Sequence, residues 1–160
     1  MATRSGSVDP GLLLWLLERE CLSAMTIAHA LEHESGLLGL AGSADMREIL
    51  ERRGEGDQEA TLAVEVYVHR LRAGIASMAV AMDGLDVLLF TGGVGEHASA
   101  VRAEIATRLG MLGVALDPER NAGADADTDV SAAAAAAVRS LVIGAREDVQ
   151  IAREVRNVLD

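Results

Sequence analysis

The chain has 160 residues, about one domain's worth, and half of them are apolar while aromatics make up only 2%, so a core must be built from Leu, Val, Ala, Ile and Met. Its net charge is −11, from 25 acidic against 14 basic side chains, and its longest basic cluster is Arg52-Arg53, which excludes a nucleic-acid binder built on a basic groove. No run approaches the ~18 apolar residues of a membrane span, and "MATRSGSVDP" has no hydrophobic signal region, so no membrane partner and a cytoplasmic location are expected.

Asp9-Pro10 reads as an N-cap followed by proline at the first helical position, with a helix over "GLLLWLLERE". The lone cysteine, Cys21, rules out an internal disulfide and, inside an apolar stretch, reads as a buried inert thiol. "LSAMTIAHALEHE" is a second helix ending near Ser35-Gly36, and "GLLGLAGSA" a glycine-punctuated loop. Asp45 with Glu48 three residues later fits a capping box before the short helix "MREILERR", and "GEGD" breaks that helix. Residues 58–82 carry the strongest helical periodicity, with Leu62, Val66, Leu71, Ile75, Met78 and Met82 as the apolar stripe.

Val87 to Phe90 reads as a buried strand, and "EHASAVRAEIATRLGMLG" as one helix after it. "VALD" (114–117) is a short strand and "PERNAGADADTDVS" a polar surface loop; "AAAAAAVRS" is too plain to assign. "SLVIGAREDVQIAREVRNVL" repeats the pattern of apolar strand, glycine, acids and amphipathic helix. Two strand–glycine–helix units argue for an α/β fold with partly parallel strands. The strands are few for a complete doubly wound domain, which suggests part of something larger.

The glycine turn "TGGVGEHA" is open to three readings. Gly93-Val94-Gly95-Glu96-His97-Ala98 fits the dinucleotide pattern GxGxxG/A, with Asp117 in the place of the ribose acid. Against this, only 43 residues follow Asp117, and the long helix precedes the strand. The turn can instead lie along ATP, or be purely structural. His29 and His33 lie four apart on one helical face, but no third metal ligand is evident; His69 sits among charged neighbours and reads as solvated or partly packed.

"TRSGSVDPGLLLWLL", "SGLLGLAGSADMREIL", "DVLLFTGGVGEH" and "IGAREDVQIARE" follow one another in this order. Together they resemble the C-terminal part of the acetate kinase family, within the acetate and sugar kinase, Hsc70 and actin superfamily. The resemblance covers nearly the whole chain. It implies an α/β fold: a partial ribonuclease H-like (actin-like ATPase) domain, with a mixed sheet and flanking helices. It implies phosphoryl transfer from ATP to acetate or another short carboxylate, with Mg²⁺, giving ADP and acetyl phosphate. It also implies a homodimer for the full-length protein.

By that resemblance, Arg4 in "TRSG" is the catalytic arginine aimed at the transferring phosphoryl group, where a planar cationic fork suits the equatorial oxygens. Asp45, Met46 and Arg47 match the segment that lines the adenosine site. Gly93, Val94, Gly95, Glu96 and His97 match the family's Gly-x-Gly-Glu-Asn turn beside the nucleotide, with His97 in place of the usual Asn. Glu147 matches a Mg²⁺-site carboxylate, and Arg146 departs from the family by placing a cation next to it.

The resemblance further implies that residues 1–160 are the C-terminal portion, the nucleotide-binding second domain plus a final helix, with the N-terminal domain absent. The acyl pocket would lie in that absent part, and the faces it covers would be bare. The competing expectations are a non-catalytic remnant that keeps nucleotide affinity or a dimer surface, and a dinucleotide-binding module.

Overall fold

A computed structural model describes residues 1–133 and 135–159. The chain forms two compact units, Met1–Leu71 and Arg72–Asp160.

The first unit is helical. Helix α1 (Pro10–Glu18) starts as expected: Asp9 accepts hydrogen bonds from the N–H groups of Gly11 and Leu12, and Pro10 occupies the first turn. It ends two residues earlier than the sequence suggests. Cys21, expected to be buried, is exposed and adopts φ 53° in the connection to α2 (Ala24–His33). Ser23 caps α2 through the N–H of Thr26.

The glycine-punctuated stretch, expected to be a loop, is helix α3 (Gly36–Ala41). Its stabilisation is tertiary: the carbonyls of Met1 and Ala2 accept from the N–H groups of Leu37 and Leu38, satisfying donors that a helix start leaves open. Leu37 and Ala41 are buried, which adds the apolar contribution that local propensity lacks. Helix α4 (Met46–Gly54) is capped by Asp45, but the reciprocal half of the capping box is rerouted. Glu48 accepts from the Ser43 hydroxyl at 2.6 Å, and that hydroxyl in turn accepts from Asp45 N.

Helix α5 (Gln58–Ala81) starts on Asp57, which accepts from Glu59 N and Ala60 N. The boundary between the units falls within it. The helix is where periodicity places it, but its buried face is another one. Ala60, Val64 and Val68, at four-residue spacing, are buried with Ala63, whereas Leu62, Met78 and Met82 are each more than half exposed. The small side chains take the buried positions, while Val66, Leu71 and Ile75 of the expected stripe are half-buried.

The second unit carries the sheet: β1 (Val87–Phe90), β2 (Thr128–Asp129) and β3 (Arg139–Val142), in the order β1-β3-β2. β1 and β3 are parallel, with Phe90 opposite Val142, and β2 is antiparallel to β3, so the sheet is mixed as expected. β1 is buried on one face only: Leu88 and Phe90 point into the core while Val87 and Leu89 are exposed. The core on that face gathers Val101, Ile105, Val114, Val130, Val138 and Val142.

The single helix expected over 96–113 is broken. Helix α6 (Gly92–His97) takes in the glycine turn itself, Ala98 leaves helical geometry, α7 (Ser99–Thr107) follows, and Gly110–Leu112 is a 3-10 turn. "VALD" is reduced to single bridges, Val114 to Val138 and Leu116 to Ser131. The polar stretch after it holds helix α8 (Pro118–Ala122) and β2 rather than a bare loop. Helix α9 (Glu147–Leu159) buries none of its side chains, and Ile151, Val155 and Val158 stay exposed. Among the described residues no helix is long and apolar enough to cross a membrane.

Candidate functional site

In open α/β sheets, ligands bind outside the carboxyl ends of the parallel strands. Here those ends are Phe90 and Val142, and each runs directly into a glycine segment: Gly92-Gly93 after β1 and Gly144 after β3. Gly92 adopts φ +70°, a conformation that side chains rarely take. A Cβ on Gly95 would stand 3.2 Å from the carbonyl carbon of Phe90, so glycine allows α6 to fold tightly back on β1. Gly93 and Val94 lie in the same helical turn, and His97, exposed, is its last residue.

Glu96 faces inward across this site. Its Oε1 accepts from Gly92 N at 2.7 Å and from Ala145 N at 3.0 Å. One carboxylate oxygen therefore ties the two strand-end segments together.

Behind the turn sits Arg102, 2% exposed. Its guanidinium donates to the carbonyls of Gly95 (2.9 Å) and Glu96 (2.7 Å), and to Oδ1 (2.8 Å) and the carbonyl (2.7 Å) of Asn121. Asn121, also buried, donates from Nδ2 to the carbonyl of Ser99. All these acceptors are neutral, and burial lowers the Arg102 pKa from its usual value. Sequence reasoning missed Gly92, Arg102 and Asn121. A signal for Arg102 was present: it lies among Val101, Ile105, Ala106 and Leu109, a charge inside the apolar face of α7.

Glu147 is exposed in the first turn of α9. Its neighbour Arg146 does not confront it: the guanidinium pairs with Asp127, whose carboxyl it holds below the ordinary carboxylate range. Among the described residues no group of three or more His, Cys, Asp or Glu could hold a metal ion by itself. Asp117, the residue in the place of a ribose acid, is spent on capping α8 through Arg120 N (2.9 Å). That use, together with a GxGxxG segment that is itself helical, argues against the dinucleotide reading.

The remaining sequence-derived residues lie in the first unit. Arg4 is exposed, but its backbone is fixed on both sides: Thr3 O accepts from Ser35 N, and Ser5 N donates to Leu31 O. It lines an open cavity of about 420 Å³ with Ser5, Glu34, Tyr67 and Arg70. Asp45 and Arg47 form a two-point ion pair, Nη2 to Oδ2 at 2.6 Å and Nε to Oδ1 at 3.1 Å. Hydrogen bonding from Arg47 holds the Asp45 pKa down at about 2. The Arg47 side chain is 84% exposed and presents its flat guanidinium to solvent. Met46, between them, points the other way into the core, with Ile49.

Residues 1–153 match the family model for the acetokinase family. An acetate kinase of Gloeobacter violaceus is 51% identical over 155 residues, covering 96% of this chain and 38% of its own length. The crystal structure of Porphyromonas gingivalis acetate kinase superposes with TM-score 0.90 at 37% identity, over 100% of this chain and 40% of that one. A propionate kinase from Francisella tularensis superposes with TM-score 0.89 at 35% identity, over 96% and 39%. The chain thus spans about 40% of the length of the proteins it matches.

Proposed function

The chain belongs to the acetokinase family, and from that premise we propose that it supplies the nucleotide-side part of an acetate kinase-type phosphotransferase, which makes acetyl phosphate and ADP from ATP and acetate. The observation that carries this reading is the family match over residues 1–153, together with two glycine segments at the ends of parallel strands joined through Glu96.

Phosphoryl transfer proceeds through spread negative charge, so a protein contributes mainly by positioning and neutralising. Arg4, held at its backbone on both sides, faces the transferring phosphoryl group with a permanent positive charge. Arg47 flanks the adenine, with Asp45 fixing its plane and offering oxygens to ribose hydroxyls. Met46 supports this segment from below as a core anchor. The main chain of Gly93 to Gly95, without bulk on the glycines, runs along the nucleotide; His97 can offer it a ring nitrogen.

The exposed carboxylate of Glu147, with Asp148 next to it in the first turn of α9 and its cationic neighbour Arg146 neutralised by Asp127, fits Mg²⁺, which keeps several waters and takes one or two protein carboxylates plus phosphate oxygens. Glu147 would hold the ion, and the ion would supply neutralisation of phosphate charge.

The acyl acceptor is acetate or another short carboxylate; both an acetate and a propionate kinase superpose equally well on this chain. A homodimeric, cytoplasmic protein is part of the same proposal. A chimera tests it: this chain replaces the matching part of the Gloeobacter relative, and acyl phosphate is trapped with hydroxylamine. Turnover near that of the parent supports the reading, whereas a folded chimera without turnover contradicts it.

A further inference from the structure

Arg102 is a charged side chain placed where nothing of its charge is used at the surface. It is 2% exposed, and its four hydrogen bonds go to neutral oxygens. A buried arginine is costly unless its geometry is well satisfied. Two of its acceptors are the carbonyls of Gly95 and Glu96, at the end of the glycine turn. The other two belong to Asn121, whose side chain also holds the carbonyl of Ser99 at the start of α7. The broken junction at Ala98, between α6 and α7, is thus clamped from both sides.

We propose that Arg102 is a positioning residue for nucleotide binding: with Asn121 it fixes the carbonyl end of the Gly92–His97 turn, while Glu96 fixes the opposite end. The proposal rests on the reading that this turn lies along the nucleotide. The two clamps differ in kind. Glu96 accepts from Gly92 and Ala145, so it sets where the turn begins and where the segment after β3 lies. Arg102 donates to Gly95 and Glu96, so it sets the pitch of the turn itself. Because Glu96 takes part in both, loosening the Arg102 side lets the Glu96 carboxylate drift from Gly92 and Ala145. Arginine is required by shape. A planar fork reaches two main-chain carbonyls on one side and the oxygens of Asn121 on another, which a lysine ammonium on a single point cannot do.

The test is a titration of the chain with MgADP alongside amide hydrogen exchange, for the wild type, Arg102→Lys, Asn121→Ala and the control Val101→Ala. Val101 is as buried as Arg102 and sits next to it in α7, but its aliphatic side chain has no polar atom to offer the turn. Arg102→Lys and Asn121→Ala should weaken MgADP about tenfold, near 1.4 kcal/mol, and speed exchange at Gly92, Ala98 and Ala145. Val101→Ala should lower the melting temperature with the MgADP affinity unchanged. Equal loss of affinity in Val101→Ala, or unchanged affinity and exchange in both clamp variants, would overturn the positioning role while leaving the nucleotide reading intact. A wild type that binds no MgADP would overturn the nucleotide reading, and this proposal with it. The exchange data stand apart from binding: unchanged protection at the three amides in Arg102→Lys contradicts the clamp on its own.

Discussion

The carboxylate of Glu96 accepts a hydrogen bond from the backbone N–H of Ala145, 49 residues further on, at 3.0 Å. The same oxygen holds Gly92 N, so a single side chain joins the turn after β1 to the turn after β3. Glu96→Ala removes the one acceptor of two partly exposed donors and should destabilise the chain by about 1–2 kcal/mol. Glu96→Gln, which keeps a neutral acceptor oxygen, should cost about half as much. Urea denaturation of the two variants checks the order.

Arg47 should matter for ligand and not for folding. Its side chain is 84% exposed and pairs with Asp45, and exposed pairs contribute little to stability. Arg47→Ala should leave the denaturation midpoint where it is and weaken ADP about tenfold, the scale of one lost contact to a charged group. Calorimetric titration with ADP, beside a melting curve, separates the two effects.

Glu147 should reveal itself through Mg²⁺ alone. In Glu147→Gln the affinity for ADP without Mg²⁺ should stay that of the wild type, and the gain on adding Mg²⁺ should shrink. Titration of both proteins with and without the cation measures this. The Arg146–Asp127 pair predicts a second effect: Asp127→Asn frees the cation beside Glu147 and should weaken the Mg²⁺ gain as well.

Acid should unfold the protein through a defined set of aspartates. Asp129 has a folded pKa of about 2 against 3.8 unfolded, and Asp57 and Asp127 are also lowered; Asp45, likewise at about 2, sits in the exposed pair with Arg47 and adds little. For Asp129 the main cause is the Ser131 hydroxyl, followed by the Ser131 N–H and Arg139. A lowered folded pKa means stability that is present above the unfolded pKa and lost as pH falls through the folded one. The melting temperature should therefore hold steady near pH 5 and drop between about pH 4 and 2. Asp129→Asn should flatten that drop, as a series of melting curves across this range will show.

The sequence made these parts of the molecule unequally legible. β1 is a short apolar run before a glycine turn and stands where that pattern places it, and β3 ends in the apolar run before Gly144 but begins at Arg139 and Ser140. Asp9-Pro10 marks α1, and Asp117-Pro118 carries the same signal for α8, hidden there by the acidic, polar residues that follow. Helix α3 has no local signal, because its first donors are satisfied by Met1 and Ala2, 35 and more residues away in sequence. β2 is two polar residues held by pairing with β3 and by Asp129 to Arg139, which no periodicity encodes.

In the candidate site, the glycine pattern marked the turn and the family resemblance marked the acids, but neither showed how they are fixed. Met46 reads as part of a binding segment and serves the core; Glu96 reads as a ligand contact and spends one oxygen on two backbone donors. The open apolar faces of α1, β1 and α9, with Leu14, Leu89 and Val158 among the exposed side chains, accompany a chain that spans about 40% of its relatives. The 160-residue polypeptide by itself should accordingly form acetyl phosphate at a small fraction of the rate of a complete relative, as hydroxamate trapping will measure.

The nucleotide side of an acetate kinase-type site, as proposed for this chain, must bind a magnesium–adenine nucleotide complex. Calorimetric titration of the chain with MgADP, with NADH as the comparison ligand, tests it most directly. Saturable one-site binding of MgADP and no saturable binding of NADH are the expected results. Absence of MgADP binding by the folded chain, or NADH binding of equal strength, would contradict the proposal.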